Sequence, residues 1–282
     1  MFVVIGIVIV LACCLGSYVA MGGKLSVLNQ PLEFVIILGS GIGAFIAGNP
    51  MGVIKGSVGA ALAGMKGPKI KKAHYIELLA MMFDIFKLAK QKGMMALEPH
   101  VEKPESSDIF SKYPLVMGDH HVEEFIRDYL RMLTLGTEKA HELESVIDAE
   151  IDSHHKTDHL YLAALQTFAD ALPALGIVAA VMGVIKTMGA MDQPPAVLGG
   201  LIGAALVGTF AGVLLAYGIF GPIAAAAKNA LEADSKIYDV IKAGILAYMQ
   251  GYAPAVAIEM ARKTVPGTER PSFYDLEAAL AK

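Results

Sequence analysis

One long uncharged stretch decides the fold of this chain. It has the sequence QPPAVLGGLIGAALVGTFAGVLLAYGIFGPIAAAA and extends from Gln193 to Ala227, between Asp192 and Lys228. The hydrocarbon core of a bilayer is about 30 Å thick, and a helix needs about 20 apolar residues to cross it. The stretch is therefore long enough for a turn at its start and a membrane-spanning helix from about Leu198 onward.

Three further stretches without charged residues precede this one. They are residues 1–23, 34–54 and 171–185. The third continues to residue 191 past the single cation Lys186, whose long side chain can reach the membrane surface. Together the four stretches predict an all-α integral membrane protein with four transmembrane helices.

The composition excludes a water-soluble enzyme and a nucleic-acid-binding protein. Of the 282 residues, 55% are hydrophobic and only 18% are charged, whereas about a quarter are charged in ordinary soluble domains. The mean hydropathy is +0.54, and the sequence pI of about 6.1 indicates no basic surface for nucleic acid. We therefore expect a protein that is embedded in the lipid bilayer.

The basic residues predict which helix ends face the cytosol. All 23 except Lys24 and Lys186 lie in residues 55–170 and 228–282. Because positive charge is retained on the cytoplasmic side, both of these segments and both termini are expected there. The predicted organisation is a transmembrane hairpin (1–54), a cytoplasmic domain (55–170), a second transmembrane hairpin (171–227) and a cytoplasmic tail (228–282).

Helical patterns fill both predicted cytoplasmic segments. Apolar residues recur at helical spacing from Tyr75 to Gly93, from Asp119 to Leu135, from Thr137 to about His155, and from Ala233 to Gln250. No convincing alternation typical of strands is present. We predict a large helical cytoplasmic domain between transmembrane helices 2 and 3, followed at the end of the chain by a helical cytoplasmic tail.

Three short motifs resemble binding sites but favour structural interpretations. Gly39–Gly43 (GSGIG) follows no strand and lies at membrane depth, so we interpret its glycines as points of close helix approach. His155 and His159 have a spacing found in metal sites, but no cysteine or further ligand pattern accompanies them, and no metal or cofactor is expected. Met81–Met82 and Met94–Met95 are interpreted as core residues rather than as a binding groove.

The four apolar stretches contain no Asp, Glu, Arg or His. Ion-coupled transporters normally place an ionisable group inside the helix bundle, whereas Asp170 lies only at the cytosolic mouth of the third stretch. The most polar residue at mid-membrane depth in the second helix pair is Thr209, with Ala180 at comparable depth on the opposing helix. Either the chain conducts no ions, or a partner subunit supplies the carboxylate.

Motifs in both hairpins and in the tail carry a resemblance to a known family. They are Pro173–Gly183 (PALGIVAAVMG), Gly208–Phe210 (GTF), Leu215–Gly218 (LAYG) with Pro222, Gly251–Pro254 (GYAP), Arg262–Phe273, and the pairs Gly22–Gly23 and Gln30–Pro31. In these motifs the chain resembles the MotA family of flagellar stator subunits. The resemblance extends over essentially the whole chain and agrees with the predicted layout of two helix pairs.

This resemblance implies a non-enzymatic motor subunit of the bacterial inner membrane. Family members form a homo-oligomeric ring, expected to be a pentamer, around two copies of MotB, whose single transmembrane helix carries the ion-binding aspartate. Ion flow past that aspartate would let charged side chains of the ring push the rotor protein FliG. The resemblance places these rotor contacts at Lys90 and Glu98, and two conformational prolines at Pro173 and Pro222. The family usually has arginine at the first rotor position, so Lys90 keeps the charge without the planar guanidinium.

The expected ion path consists of Ala180, Thr209, Asp170 and Tyr217. Sodium needs several oxygen ligands to replace its water, and Pro173–Ile185 offers no hydroxyl. Alanine occupies position 180, where the sodium-driven relatives carry threonine. We therefore expect the transported ion to be H⁺, with sodium less favoured.

Two other functions are weighed against this one. The related ExbB/TolQ proteins are proton-driven energisers of outer-membrane processes, but they usually have three spans. The additional N-terminal hairpin and the tail motif Arg270–Phe273 argue against that assignment. A solute transporter is disfavoured because the apolar stretches contain no acid or histidine that could bind a coupling ion.

Overall fold

The computed structural model describes residues 2–136 and 139–280, and these residues form helices without any strand. The α-helices are α1 (Phe2–Ala20), α2 (Leu25–Leu28), α3 (Pro31–Phe34), α4 (Ser40–Gly48), α5 (Met51–Lys66), α6 (Lys72–Lys92), α7 (Glu98–Glu102), α8 (Pro114–Met117), α9 (His120–Thr134), α10 (Ala140–Met188), α11 (Pro195–Leu215), α12 (Gly221–Met249), α13 (Pro254–Thr264) and α14 (Phe273–Leu280). Two π-helical turns, Val35–Gly39 and Ala216–Phe220, connect α3 to α4 and α11 to α12. The prediction of an all-α protein is confirmed.

Four helical stretches in the described part of the chain are long and apolar enough to cross a membrane. They are Phe2–Ala20, Leu25–Gly48, Ala140–Met188 and Pro195–Met249. The prediction of four transmembrane helices is confirmed, and the chain is an all-α integral membrane protein. The last two stretches are longer than predicted. Residues 156–170 and 228–232 join their apolar parts to the amphipathic helices beside them, and these two segments contain no glycine or proline. The expected helix start at Thr137 lies outside the described residues.

The chain divides into two compact units. The first unit comprises Met1–Pro68 and Lys156–Leu231, and the second comprises Lys69–His155 and Glu232–Lys282. Helices α10 and α12 therefore each contribute residues to both units. The assignment of the predicted segments to membrane and cytosol remains a prediction.

Small residues determine the helix packing in the first unit. A Cβ atom placed on Gly176 would lie 2.7 Å from the carbonyl oxygen of Gly208, and one placed on Gly212 would lie 2.8 Å from the Cα of Gly176. Helices α10 and α11 thus approach backbone to backbone, which small residues permit between membrane helices. A Cβ on Gly41 would lie 3.2 Å from the Phe168 ring, so Gly41 is the predicted point of close helix approach.

The second membrane-crossing stretch ends earlier than predicted. Its helix stops at Gly48, and Asn49 and Pro50 adopt extended backbone conformations before α5 begins. The Asn49 side-chain nitrogen donates a hydrogen bond to the Phe45 carbonyl at 2.8 Å, which satisfies one acceptor at the helix end. The helix therefore ends at Gly48, before the first charge at Lys55, and the domain boundary at residue 54 stays a prediction.

The second unit is built around α6, whose apolar side chains recur at helical spacing. Tyr75, Leu79 and Phe86 are almost completely buried, and the Phe86 ring stacks on the ring of Tyr248 with a centroid distance of 4.5 Å. The predicted helix over Tyr75–Gly93 is confirmed. This core fixes the position of the last turn of α6, where one of the predicted rotor contacts lies.

Candidate functional site

Lys90 and Glu98 flank a break in the chain of the second unit. Lys90 lies in the last turn of α6, which Gly93 ends with a positive φ of 86°. The 3₁₀ turn Met94–Leu97 then leads to α7, whose first residue is Glu98. Both charged side chains are exposed, and within residues 2–136 and 139–280 neither forms an ion pair. The two charges are thus presented to solvent on either side of a 3₁₀ turn.

A groove of about 640 Å³ opens beside Lys90. Its lining includes Met94, Met95, Leu133 and Tyr252. Met81 and Met82 are buried as predicted, but Met95 is 66% exposed. The interpretation of Met95 as a core residue is therefore wrong, because the 3₁₀ turn after α6 does not continue the buried face of that helix.

The structure brings Ala180 and Thr209 to the same level of the α10–α11 contact. A Cβ placed on Gly208, next to Thr209, would lie 2.9 Å from the Cβ of Ala179 and 3.0 Å from the backbone nitrogen of Ala180. Both Ala180 and Thr209 are half-buried. This part of the helix pair is a wall of small side chains to which Thr209 contributes a hydroxyl.

Asp170 and Tyr217 lie away from this level. The exposed Asp170 carboxylate accepts a hydrogen bond from the side-chain nitrogen of Gln166 at 2.9 Å. Tyr217, in the π-helical turn after α11, is 68% exposed. Each lies more than two helical turns from Ala180 or Thr209 along its own helix, and both lie toward the same end of the antiparallel pair. Their part in an ion path stays a prediction.

The two prolines lie in neighbouring segments of the first unit. Pro173 is inside α10, and Pro222 follows the π-helical turn Ala216–Phe220. Proline lacks an N–H, and its ring clashes with the carbonyl four residues before it. The π-helical turn relieves this clash before Pro222 because its hydrogen bonds span one more residue. The rings of Phe168 and Phe220 meet edge-on at 5.0 Å, so the two proline segments are packed against each other.

One acidic residue lies in the second membrane-crossing helix although the predicted apolar stretch begins only after it. Glu33 belongs to the helical stretch Leu25–Gly48, whereas the uncharged stretch predicted from the sequence starts at residue 34. Because Glu33 is charged, it was assigned to the connection between the first two apolar stretches. The helix that begins at Pro31 already includes it. Pro31 at a helix start followed by an acid in the first turn is the signal that indicates this boundary.

Two family models match this chain. A model described as Motility protein A N-terminal matches residues 4–93, and one for the MotA/TolQ/ExbB proton channel family matches residues 118–239. Together with the four membrane-crossing helices, these matches define a membrane protein of the proton channel class. The match of the N-terminal model favours the motility branch over the ExbB/TolQ alternative.

Relatives extend this result over the whole chain. Motility protein A of Escherichia coli (strain K12) is 42% identical over 277 residues, which cover 98% of this chain and 94% of the relative. Chemotaxis protein LafT of Vibrio parahaemolyticus is 37% identical over 278 residues, covering 99% and 98% respectively. The chain therefore belongs to the Motility protein A family, the stator subunits of the flagellar motor.

Solved structures share the fold. The C. jejuni MotAB structure superposes with a TM-score of 0.79 at 18% identity, covering 96% of this chain and 98% of the matched chain. The flagellar MotAB stator complex from Bacillus subtilis gives a TM-score of 0.74 at 24% identity, covering 95% and 96%. The arrangement of helices described above is thus that of MotAB structures.

Proposed function

We propose that this chain forms, together with MotB, a proton channel that converts proton flow into torque on the flagellar rotor. The observation that carries this proposal is the close contact of α10 and α11 at Ala180 and Gly208. Neither apolar stretch of this helix pair contains an acid, from Ala171 to Met191 or from Gln193 to Ala227. A partner helix with a carboxylate would therefore supply the group that ion transport requires.

The apolar surface of the first unit supports assembly into a ring. Helix α1 has no buried residue, and Ile177, Val181 and Ile185 of α10 are each more than half exposed. Exposed apolar surface of this extent on a membrane helix is covered by lipid or by further subunits. We propose that further copies of the chain, expected to be five from the family, and MotB cover the part that lipid does not.

The exposed charges of the second unit support a contact with the rotor. Lys90 and Glu98 have no ion-pair partner among the described residues and would engage opposite charges on FliG. The distribution of basic residues supports a cytoplasmic location for this unit and for both termini at the bacterial inner membrane, where a rotor protein is accessible.

The ion path favours protons over sodium. Ala180 supplies no oxygen in its side chain, and Thr209 supplies one hydroxyl at the same level. One hydroxyl and one partner carboxylate are too few to replace the water around sodium, whereas a proton needs only a titratable carboxyl and a chain of water molecules.

A bacterium that lacks its own stator genes tests the proposed function. We expect this chain to restore swimming when it is expressed with MotB but not when it is expressed alone, and we expect MotB to co-purify with it. A chain that restores an ExbB/TolQ-dependent process of the outer membrane but not swimming would contradict the proposal.

A further inference from the structure

Glu33 has a buried oxygen atom that the proposed channel does not yet explain. Its Oε2 atom is inaccessible to solvent and has no hydrogen-bond partner in the described chain. A buried carboxylate oxygen without a donor is costly, and ionisable residues inside membrane helices mark ion pathways. The carboxyl group of Glu33 therefore requires a ligand that the polypeptide itself does not provide.

The carboxyl group lies in the contact between α10 and α11. A Cβ placed on Gly208 would lie 2.8 Å from Oε2 of Glu33, and one placed on Gly183 would lie 3.6 Å from Oε1. The same Cβ on Gly208 would lie 3.0 Å from the backbone nitrogen of Ala180. The carboxyl group thus occupies space left open by two glycines, beside the level of Ala180 and Thr209.

Few charged groups face this carboxyl group. Helix α11 contributes none between Pro195 and Leu215. On α10 the charge that acts on Glu33 is the ammonium group of Lys186, about one turn beyond Gly183. Lys186 lies near the end of α10 that leads to the short connection before α11, which is the outer end in the predicted orientation. Glu33 therefore lies between that outer end and the level of Ala180.

We propose that Glu33 is a proton-binding site of this chain at the outer part of the ion path. Its carboxylate takes up one proton from the outer aqueous phase to form a neutral carboxylic acid. It then releases the same proton to the ionised carboxylate of the partner subunit and regains its negative charge, so that no other reactant is needed. This inference rests on the proposed function and adds to it a second carboxyl group, supplied by each copy of this chain.

The test is the speed of single motors at low load, measured in a bacterium that carries this chain and MotB. The external pH is changed from mildly acidic to mildly alkaline at constant total proton-motive force, and the ratio of the two speeds is taken on the same motor. The variants are Glu33→Gln, Glu33→Asp and, as a matched control, Asp192→Asn, which removes an exposed acid from the connection between α10 and α11.

Proton uptake limits the rate when external protons are scarce. We therefore expect Glu33→Gln to be severalfold slower than the wild type at alkaline pH and close to it at acidic pH, whereas Glu33→Asp and Asp192→Asn keep the wild-type ratio. If motors with Glu33→Gln do not rotate, the test is the ratio of the two speeds in Glu33→Asp. A retained carboxyl group must keep the pH dependence of the wild type.

Three results would overturn the inference. The first is a Glu33→Gln speed that is lower by the same factor at both pH values, as a packing defect would produce, or that is unchanged. The second is a Glu33→Gln defect that changes when sodium replaces potassium, which would indicate a sodium site. A wild-type complex that drives no rotation would contradict the proposed function and with it the proton site.

Discussion

Lys90 stands where the family resemblance leads us to expect an arginine, and this difference has a physical consequence. An ammonium group is a compact charge on a flexible stem, whereas a guanidinium can form two parallel hydrogen bonds with a carboxylate. Since Lys90 and Glu98 are both exposed, the proposed contact with a rotor would depend on the sign of the charge more than on a fixed geometry. Charge reversal is therefore the informative change.

Reversing either charge, as Lys90→Glu or Glu98→Lys, is expected to cause a severalfold loss of swimming speed. Membrane insertion and co-purification with MotB should be unchanged because neither side chain contributes to the buried core of the second unit. Complementary reversals on FliG should partly restore motion. The measurement is swimming speed at equal expression.

Lys92→Glu is the matched control, since Lys92 is also exposed at the end of α6 but points about 200° around the helix from Lys90. We expect it to swim like the wild type. If the double variant Lys90→Glu with Glu98→Lys swims normally with unmodified FliG, the assignment of these two residues is wrong.

Helix α14 is held to the second unit by a cap and an ion pair. The Ser272 backbone nitrogen donates to the Asp275 carboxylate at 2.9 Å, and the Asp275 nitrogen donates to the Ser272 hydroxyl at 3.1 Å, which is a reciprocal cap. The Lys72 ammonium of α6 lies 2.7 Å from Asp275. Arg262 donates to the Pro271 carbonyl at 2.8 Å, so the tail motif positions this helix.

We expect α14 to be held less tightly to the second unit at acidic pH. The hydrogen bond from Lys72, followed by those from Ser272, lowers the pKa of Asp275 from 3.8 to about 2. A lowered pKa in the folded state stabilises the fold above pH 3.8, and this contribution is lost as the pH falls toward 2. Amide hydrogen exchange of α14, corrected for its intrinsic pH dependence, should therefore accelerate in this window.

A variant without the ion pair checks this prediction. In Lys72→Met we expect α14 to lose protection at a higher pH than in the wild type, nearer the ordinary pKa of aspartate. Lys236→Met removes an ion pair with Asp239 within α12 and should leave α14 unchanged. Equal exchange of α14 in the wild type and in Lys72→Met at every pH would show that the ion pair does not hold this helix.

The prolines of α10 and α12 are expected to be needed for motion rather than for assembly. In Pro173→Ala or Pro222→Ala a restored N–H can bond to the carbonyl four residues before it, so the helix becomes more regular and loses a flexible point. We expect torque to be lost while MotB still co-purifies. Pro195→Ala is the control, because Pro195 is the first residue of α11 and interrupts no helical hydrogen bond. Normal motility of both Pro173→Ala and Pro222→Ala would leave these prolines with a purely structural role.

Much of the fold could be predicted because charge and hydrophobicity are distributed along the chain in blocks. The four apolar stretches predicted four membrane-crossing helices, and the helical spacing of Leu78, Leu79 and Met82 predicted α6. The structure contains all of these helices. The continuity of α10 could not be predicted, since its amphipathic and apolar halves are recognised by different patterns. Glu33 was missed because its burial depends on space at Gly183 and Gly208, two residues that are far from it in sequence.

Swimming speed at fixed pH, with sodium exchanged for potassium, decides whether protons drive the complex of this chain with MotB. Thr209 supplies one hydroxyl and Ala180 none, so the side chains of α10 and α11 at this level offer few of the oxygen ligands that sodium requires. The speed should therefore stay constant across the exchange and collapse when a protonophore is added. A steep rise of speed with sodium concentration, unaffected by the protonophore, would contradict proton coupling.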